Sequence, residues 1–566
     1  MPEFGSLTRK ILWARGYQNK KAVQELLYPA PEVSFAPESM KGMNEAVEII
    51  LEAIKKKEKI AIFGDYDADG VTATAVLTLG LRTLGIEVVP YIPLRLDEGY
   101  GLNSEALVKL EKQGVNLVIS CDCGTNAVEV VEGKPKNLKL VITDHHSPET
   151  EIAKPEALIN PHQKGCEYPY KELSGAGVAY KLLQGVVNKG GGDVAPLASK
   201  MDQLLELVAI GAIQDSMPLI GENRYLVIKG LEMMQIDPLP GIAALIKRSG
   251  LKYPITATSV SFQLGPRINA AGRMSDAKHA LNLLLTENEE EGRLLADGLE
   301  EHNQARKDAT LLAEEQANEA LAAQKEVKGA IVLADERWPQ GIVGLIAGRL
   351  AESYKLPTFI LNKGEAESHG SARSVEGFNV VEALRRCSDL LLRYGGHEMA
   401  AGLTCENKNL EALKKALSSH ALEMEPEIGW KPHVDVDAEI AITELSRKAI
   451  EELSLLEPFG QGNPSPIFCI RGAHITDSGT VGADGAHLKL KLGDGTNTAL
   501  EAMAWRKGHL LPHYKKGIKL DVLVSASVRE FRGKTSVQLE LQDVQKHKAI
   551  ENVAGQIAKE NFGMEA

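Results

Sequence analysis

The chain has 566 residues, of which 44% are hydrophobic and 25% are charged, and its formal net charge is −13 at pH 7. A chain of this length exceeds one hydrophobic core, so several domains are expected. The acidic balance excludes a protein coated in basic surface, although a local basic groove can still hold nucleic acid.

Cellular location is indicated by what the sequence lacks. No apolar run reaches the roughly 18 residues that a membrane-spanning helix needs. The first residues, MPEFGSLTRKILWARGY, have no apolar core followed by a cleavage site. None of the six cysteines forms a CxxC pair, so neither a zinc ribbon nor a disulfide framework is indicated. We expect a cytoplasmic protein without a membrane partner.

The first half of the chain alternates short β-branched apolar runs with helical stretches. After an N-terminal helical segment at 1–45, strands are predicted at 59–63, 87–93, 117–121 and 139–143. Helices are predicted at 71–85, around 104–113 and at 204–215. This alternation is typical of an α/β sheet with crossover helices, and we assign it residues 46–235.

A long polar segment follows at 286–326, within a helical connector at 236–327. It contains no proline, and its Leu and Ala residues recur three and four positions apart. One helix of about 40 residues would span roughly 60 Å and join two domains. The alternative is a pair of shorter helices broken near Gly298.

Two further domains are predicted beyond the connector. Residues 328–428 begin with the apolar run GAIVLADERW and form a second α/β unit. Residues 429–548 show period-two alternation with turns such as GDG and RGK, which predicts a small closed β-barrel. Residues 549–566 are predicted to be a helical tail.

Acidic and histidine residues follow three of the predicted strands and one helix. They are Asp65, Asp67 and Asp69 in GDYDADG, Asp122 in CDCG, Asp144, His145 and His146 in TDHH, and Asp215 in QDSM. The carboxyl ends of strands in an open α/β sheet converge on one crevice. Carboxylates with an imidazole suit a pair of Mn²⁺ or Mg²⁺ ions, which could clamp both reacting oxygens of a phosphodiester.

Each motif taken alone has a simpler explanation. GDYDADG is similar to the start of an EF-hand loop, but the twelfth position is Val76 instead of Glu, and a strand precedes the motif. An aspartate at a strand end, such as Asp122, can merely cap the next helix. The metal-site hypothesis therefore depends on the combination of motifs.

In this order, GDYDADG, CD, TDHH and QD resemble the motifs of the DHH phosphoesterases. The resemblance implies a two-metal site with the ligands Asp67, Asp69, Asp122, His145 and Asp215, and with Asp65 as a further ligand. It also implies that His146 faces the scissile phosphate. Many relatives have a histidine where this chain has Phe63, and Asp65 is our candidate to replace it.

Later motifs resemble the substrate-binding parts of the family. SHGSARS and RYGGHEMAAGLT are similar to the DHH-associated domain and supply Ser371, Arg373, Gly395, Gly396 and His397. IPLRLDEGYGLN and GPRINAAGRM are similar to patterns of the RecJ exonuclease branch and supply Arg95, Arg267 and Arg273 for phosphate contacts. LSGAGVAYKL also fits the family.

The predicted barrel resembles the oligonucleotide-binding (OB) fold of the same branch, although a purely structural or SH3-like barrel is an alternative. Its candidate DNA contacts are Trp505, Arg529, Phe531, Arg532 and Lys534. The expected fold class is α/β: a DHH-type parallel-sheet catalytic domain, joined by a long helix to a second α/β domain, followed by an OB-fold barrel.

The resemblance implies a single-stranded-DNA-specific 5′→3′ exonuclease that releases 5′-mononucleotides in DNA recombination and repair. Implied partners are single-strand-binding protein and a helicase, and we expect a monomer. Alternatives are a small-substrate DHH phosphodiesterase, a non-catalytic DNA-binding scaffold and an inorganic pyrophosphatase. The barrel argues against the first and the third, and the complete set of motif aspartates argues against the second.

Overall fold

The computed structural model describes residues 4–29, 34–95, 98–99, 101–324, 327–425, 430, 434–495, 498–531 and 533–547. The chain divides into two compact units. One contains residues 31–433 and 460–462, and the other contains residues 1–30, 434–459 and 463–566. Among the described residues, no helix combines the length and the apolar character needed to cross a membrane.

Near the N-terminus lie two short amphipathic helices, α1 (Ser6–Ala14) and α2 (Lys20–Leu27). The Asn19 side chain caps α2 by accepting a hydrogen bond from the Ala22 N–H at 2.9 Å. Both helices belong to the same compact unit as the C-terminal strands.

A parallel five-stranded sheet follows, with the strand order β2-β1-β3-β4-β5. Its strands are β1 (Ile60–Phe63), β2 (Val88–Tyr91), β3 (Leu117–Cys121), β4 (Lys139–Thr143) and β5 (Ala157–Ile159). The helices are α3 (Met43–Lys56), α4 (Ala68–Arg82), α5 (Ser104–Lys112), α6 (Val128–Glu132), α7 (Gly175–Gly190), α8 (Ala195–Gln214) and α9 (Gly221–Ile236). The predicted parallel sheet is confirmed, and β1, β3 and β4 end side by side.

A helical region leads out of this sheet. It comprises α10 (Pro240–Ser249), α11 (Ala257–Ser259), a π-helical turn (Val260–Leu264), α12 (Gly265–Met274), α13 (Lys278–Leu285) and α14 (Glu289–Ala322). α14 is one continuous helix of 34 residues, so the predicted long helix is confirmed and the broken pair is wrong. Gly298 is accommodated within it without a break.

The second sheet is mixed, with the order β6-β7-β8-β10-β9. Its strands are β6 (Ile331–Asp335), β7 (Thr358–Lys363), β8 (Glu367–Arg373), β9 (Arg393–His397) and β10 (Ala400–Glu406). The accompanying helices are α15 (Val343–Tyr354), α16 (Val380–Arg386) and α17 (Leu410–Met424). Only β6 and β7 are parallel, because the others are joined as antiparallel neighbours.

The C-terminal strands form a closed barrel, as predicted. They are β11 (Ala438–Glu439), β12 (Phe468–Val481), β13 (His487–Gly493), β14 (Ala499–Ala504), β15 (Lys519–Phe531) and β16 (Lys534–Lys546), with α18 (Arg447–Leu453) after β11. Pairing of β12 with β15 closes the ring β12-β13-β14-β16-β15.

The barrel core includes residues from the N-terminal helices. Leu7 and Ile11 of α1 and Leu26 of α2 are buried in the same apolar cluster as the barrel residues Leu490 and Val522. The sequence patterns treat residues 1–45 as a segment of their own, whereas residues 6–27 pack with the barrel. The predicted tail at 549–566 lies outside the described residues.

Candidate metal centre

Three aspartates, Asp65, Asp67 and Asp69, lie where β1 leads into α4 at the carboxyl edge of the parallel sheet. Asp67 caps α4, because its Oδ1 accepts hydrogen bonds from the N–H groups of Asp69 and Gly70, both at 3.0 Å. Asp65 and Asp69 are each 2% exposed. Within the described part of the chain, Asp65 Oδ1 is buried and has no hydrogen-bond partner. A buried carboxylate oxygen of this kind needs a cation or a proton.

Asp122 follows β3 in a left-handed backbone conformation, with φ of +63°. This conformation is unfavourable for a residue other than glycine, and such strain concentrates at functional sites. Its backbone N–H donates to the Thr143 carbonyl oxygen of β4 at 3.0 Å. The neighbouring strand therefore holds the Asp122 side chain over the sheet edge.

The N-terminus of α7 packs directly onto the aspartates. A Cβ atom at Gly175 would lie 2.6 Å from the Asp122 Cβ, so only glycine permits this approach. The N–H groups of Gly175 and Ala176 donate to the two carboxylate oxygens of Asp69 at 2.6 and 3.0 Å. The sequence motif LSGAG thus orients Asp69, a role that the sequence analysis missed.

His145 lies at the centre of the cluster. Its Nε2 is 3.0 Å from Asp122 Oδ1, 3.5 Å from Asp215 Oδ2 and 3.8 Å from Asp69 Oδ2. Asp215 reaches the site from the end of α8, some 70 residues along the chain from His145. Every aspartate and histidine predicted for the metal site is therefore at one place.

Three overlapping sets of donors have ligand atoms within 4.8 Å of one another. The sets are Asp65, Asp67 and Asp122; Asp69, His145 and Asp215; and Asp122, His145 and His146. Phe63, at the position where many relatives have a histidine, is fully buried and stacks on Tyr91 at 5.2 Å. Asp65 completes the first set, as the sequence analysis expects.

Three carboxyl groups of the cluster, those of Asp65, Asp122 and Asp215, have raised pKa values. Burial, followed by the charges of neighbouring aspartates, raises the pKa of Asp65 and of Asp122 well above the usual range. The same causes raise the pKa of Asp215 to about 7. Divalent cations would remove this repulsion, and hard carboxylate oxygens with one imidazole suit Mn²⁺ or Mg²⁺. The residues present therefore fit a pair of such ions.

Asp144 orients His146 and is not one of the clustered donors. Burial raises the pKa of Asp144, but the hydrogen bond from His146 and the charge of His146 outweigh it and lower the pKa to about 2. The His146 Nδ1 lies 2.8 Å from Asp144 Oδ1, and the Thr125 N–H donates to the other oxygen at 2.9 Å. Burial lowers the pKa of His146, but its bond to Asp144 produces a net rise. The sequence analysis noted Asp144 without giving it this role.

A cleft of about 610 Å³ opens beside His146. His146 and Asp144 line one side, and Gly396 and His397 of the second α/β region line another. Gly395 is exposed next to them on β9. The structure thus brings the predicted GGH motif to the metal centre, although the two lie about 250 residues apart in the sequence.

Three of the four predicted phosphate-binding arginines form a cationic cluster. Burial, followed by the charges of Arg95 and Arg373, lowers the pKa of Arg273 to about 10. Arg95 lies over the Tyr66 ring at 4.8 Å, and Arg373 donates to Ser371 Oγ at 3.0 Å. Over the described ranges, none of the three forms a salt bridge with an acidic residue, so the cluster can accept an anion.

Arg267 is placed differently. Its guanidinium donates to Glu300 on α14 and to the Gln263 carbonyl oxygen. These contacts favour a structural role in fixing α12 against α14. Its role in phosphate binding stays a prediction.

The barrel residues predicted to contact DNA are only partly described. Trp505 follows β14, is 47% exposed and packs edge-on against His487 at 5.0 Å. Arg529 on β15 is exposed and donates to Gln538 at 3.0 Å. The side chains of Phe531 and Lys534, and all of Arg532, lie outside the described residues.

A parallel sheet that gathers carboxylates and histidines at its carboxyl edge defines a metal-dependent phosphoesterase of the DHH type. Residues 59–212 match the DHH family N-terminal domain, and residues 325–422 match the DHHA1 domain. Residues 436–543 match the RecJ OB domain. The expected fold class is therefore confirmed.

Similar proteins extend the match over nearly the whole chain. The single-stranded-DNA-specific exonuclease RecJ of Bacillus subtilis is 35% identical over 95% of this chain and 67% of its own length. The Salmonella typhimurium protein of the same name is 32% identical over 95% of both chains. The crystal structure of Thermus thermophilus RecJ with Mn²⁺ is 30% identical, with a TM-score of 0.81 over 97% of this chain and 77% of that one. This chain belongs to the RecJ family.

Proposed function

We propose that this protein is a metal-dependent exonuclease that hydrolyses phosphodiester bonds in single-stranded DNA. One observation carries the proposal: two sets of hard ligands, Asp65–Asp67–Asp122 and Asp69–His145–Asp215, lie side by side in a chain that matches RecJ exonucleases from its sheet to its barrel. Family membership supports the substrate, and the ligand sets support the chemistry.

The cofactors are two divalent cations, Mn²⁺ or Mg²⁺. When bound, they supply an activated water and stabilise the charge that develops on the phosphate. Asp65, Asp67 and Asp122 would hold one ion, and Asp69, Asp215 and His145 would hold the other. Crystals of Thermus thermophilus RecJ contain Mn²⁺ in one case and Mg²⁺ in another.

His146 contacts the phosphate that is cut. The bond to Asp144 keeps the proton of His146 on Nδ1 and favours the charged imidazole ring. A cationic ring stabilises negative charge on a phosphate oxygen, and it can donate a proton to the departing sugar oxygen.

Arg95, Arg273 and Arg373 hold the phosphate at the 5′ end of the strand, together with Ser371. Within the described part of the chain these three arginines form no salt bridge with an acidic residue. Such a cluster favours a terminal phosphate, which carries more negative charge than an internal diester. Gly395, Gly396 and His397 hold the neighbouring nucleotide across the cleft. This arrangement gives 5′→3′ polarity and release of 5′-mononucleotides.

The barrel binds the single strand through stacking on Trp505 and Phe531 and through contacts of Arg529, Arg532 and Lys534 with the DNA backbone. In the cell, the enzyme works as a cytoplasmic monomer in recombination and repair. It acts after a helicase and alongside single-strand-binding protein, because its substrate is an already separated strand.

The alternative functions have less support. Residues 436–543 match an OB domain specific to RecJ, which a phosphodiesterase for small substrates or a pyrophosphatase does not need. A non-catalytic scaffold does not need both sets of clustered donors. The exonuclease is therefore the function that the site and the family support together.

Incubation of the protein and Mn²⁺ with single-stranded and duplex DNA tests the proposal. Each substrate carries a label at either the 5′ or the 3′ end. We expect a 5′ label on single-stranded DNA to appear at once in mononucleotides, whereas a 3′ label passes through progressively shorter strands. Equal cutting of blunt duplex DNA, or early release of the 3′ label, would contradict the proposal.

A further inference from the structure

The side chain of Asn269 connects two segments of the metal centre. Its Oδ1 accepts a hydrogen bond from the Ala68 N–H at 3.0 Å. Its Nδ2 donates to Gln214 Oε1 at 3.3 Å. A single amide group on α12 therefore bonds to segments that are about 150 residues apart in the chain.

Each of these segments carries metal-binding candidates. Ala68 lies between Asp67 and Asp69 and is the first residue of α4. Gln214 is the last residue of α8 and directly precedes Asp215. The bonds of Asn269 therefore tie the backbone that carries Asp67 and Asp69 to the residue that precedes Asp215.

Tight packing of α12 holds the amide in place. A Cβ atom at Gly265 would lie 1.7 Å from Gln214 Cδ, and a Cβ atom at Gly272 would lie 2.4 Å from the Tyr66 carbonyl oxygen. A larger residue at Gly265 would displace the Gln214 side chain, and one at Gly272 would push α12 away from the backbone of Tyr66. Gln214 is itself oriented, because its Nε2 donates to the Val260 carbonyl oxygen at 3.4 Å in the π-helical turn. Such turns are frequently found at functional sites.

We propose that Asn269 is a positioning residue that sets the separation between the Asp67–Asp69 loop and Asp215, and through it the affinity for the pair of cations. The inference rests on the proposed two-cation site. An amide is required because one end must accept from an N–H and the other must donate to an oxygen. Replacement of a residue that orients metal ligands without binding the metal itself typically changes metal affinity or activity about tenfold to a hundredfold.

The test replaces Asn269 with leucine, which has a similar size and no hydrogen-bonding group, and with serine. Mn²⁺ binding to the full-length protein is measured by calorimetry, and the magnetic coupling of the two ions by electron paramagnetic resonance. We expect Asn269→Leu to weaken Mn²⁺ binding about tenfold to a hundredfold and to diminish the coupled signal. The kcat should fall, whereas the KM for DNA should change by less than about threefold.

Asn188→Leu is the matched control, because Asn188 is an exposed residue of α7 in the same compact unit. Its Mn²⁺ affinity should equal that of the wild type. Wild-type Mn²⁺ affinity in Asn269→Leu overturns the inference. If that variant does not fold, wild-type Mn²⁺ affinity in Asn269→Ser overturns it instead. Absence of Mn²⁺ binding to the wild type would instead contradict the proposed two-cation site.

Discussion

Asp122 combines three features that a surface aspartate lacks. It is 2% exposed, its φ is +63°, and its carboxylate lies 3.0 Å from His145 Nε2. Buried charge and backbone strain both lower the stability of the fold. The proposed metal-binding role would account for both, because a cation would stabilise the buried carboxylate.

We expect Asp122→Ala to abolish hydrolysis of single-stranded DNA, with a loss of at least about 1000-fold, because the set with Asp65 and Asp67 loses a ligand and His145 loses the carboxylate 3.0 Å from its Nε2. Binding of the same DNA, measured by fluorescence anisotropy, should stay within about threefold of the wild type, since the barrel and the arginines are unchanged. Asp193→Ala, at an exposed position in the same compact unit, is the control. Substantial residual activity in Asp122→Ala would contradict the proposed role.

Arg373 tests the 5′-phosphate proposal. We expect Arg373→Gln to reduce kcat/KM about tenfold to a hundredfold on strands with a 5′-phosphate, because a charge-assisted hydrogen bond contributes roughly 1.5–3 kcal/mol. Strands with a 5′-hydroxyl should be affected much less. Arg337→Gln removes an exposed arginine paired with Asp335 and should change neither value. Equal losses on both substrates would show that Arg373 does not bind the terminal phosphate.

Among the elements, α8 contains a buried acid that makes no contact with the metal centre. Both oxygens of Glu206 accept from the Leu239 N–H at 3.2 Å. Burial raises the pKa of Glu206 from its ordinary value of 4.5 to about 8. The folded chain thus holds a proton that the unfolded chain releases. Stability from this group is complete below pH 4.5 and is lost as the pH rises to about 8.

We expect the Glu206→Gln variant not to lose this stability as the pH rises, because glutamine keeps an acceptor for the Leu239 N–H and does not ionise. The free energy of unfolding of the variant, relative to the wild type, should rise by roughly 2–4 kcal/mol between pH 5 and pH 9. Urea denaturation at both pH values measures it, and the metal-site groups cancel in the comparison. A difference that does not vary with pH would contradict the prediction.

The sequence indicated the elements well where local patterns determine them. The runs IAIF, LVISC and KLVIT became β1, β3 and β4, because uninterrupted apolar strands suit a parallel sheet covered on both faces. The acids that follow these runs met because adjacent parallel strands end together. The long helix α14 could be predicted because its Leu and Ala residues recur three and four positions apart and the segment contains no proline.

Contacts between distant segments could not be predicted in this way. From the sequence alone, GPRINAAGRM was predicted only to supply arginines for phosphate contacts. In the structure, Gly265, Asn269 and Gly272 pack against the metal loops, and Arg267 pairs with Glu300. The partners lie 33 to about 200 residues away, and no local pattern specifies them. For the same reason, the packing of α1 and α2 with the barrel could not be predicted from the sequence.

At the scale of the whole molecule, catalysis and strand binding belong to two compact units. The unit formed by residues 31–433 and 460–462 contains all the clustered metal donors, and the barrel belongs to the other. The net charge of −13 does not conflict with DNA binding, because the positive groups are concentrated locally, as in the arginine cluster. Strand binding and cleavage should therefore respond to separate substitutions.

We expect Trp505→Ala to weaken binding of a 30-nucleotide single strand by about 1–3 kcal/mol, the contribution of one stacked base. Cleavage of a short oligonucleotide should keep its wild-type kcat, because Trp505 is not one of the clustered metal donors. Trp13→Ala, at another exposed tryptophan of the same unit, is the control and should bind normally. Wild-type affinity of Trp505→Ala for the long strand would exclude stacking on this residue.

Anomalous diffraction from crystals of this protein grown with Mn²⁺ tests the central claim most directly. We expect two manganese peaks about 3.5–4 Å apart, with Asp122 next to them. One peak should lie against Asp65 and Asp67, and the other against Asp69, His145 and Asp215. A single peak elsewhere, or fully loaded crystals without manganese at these residues, would contradict it.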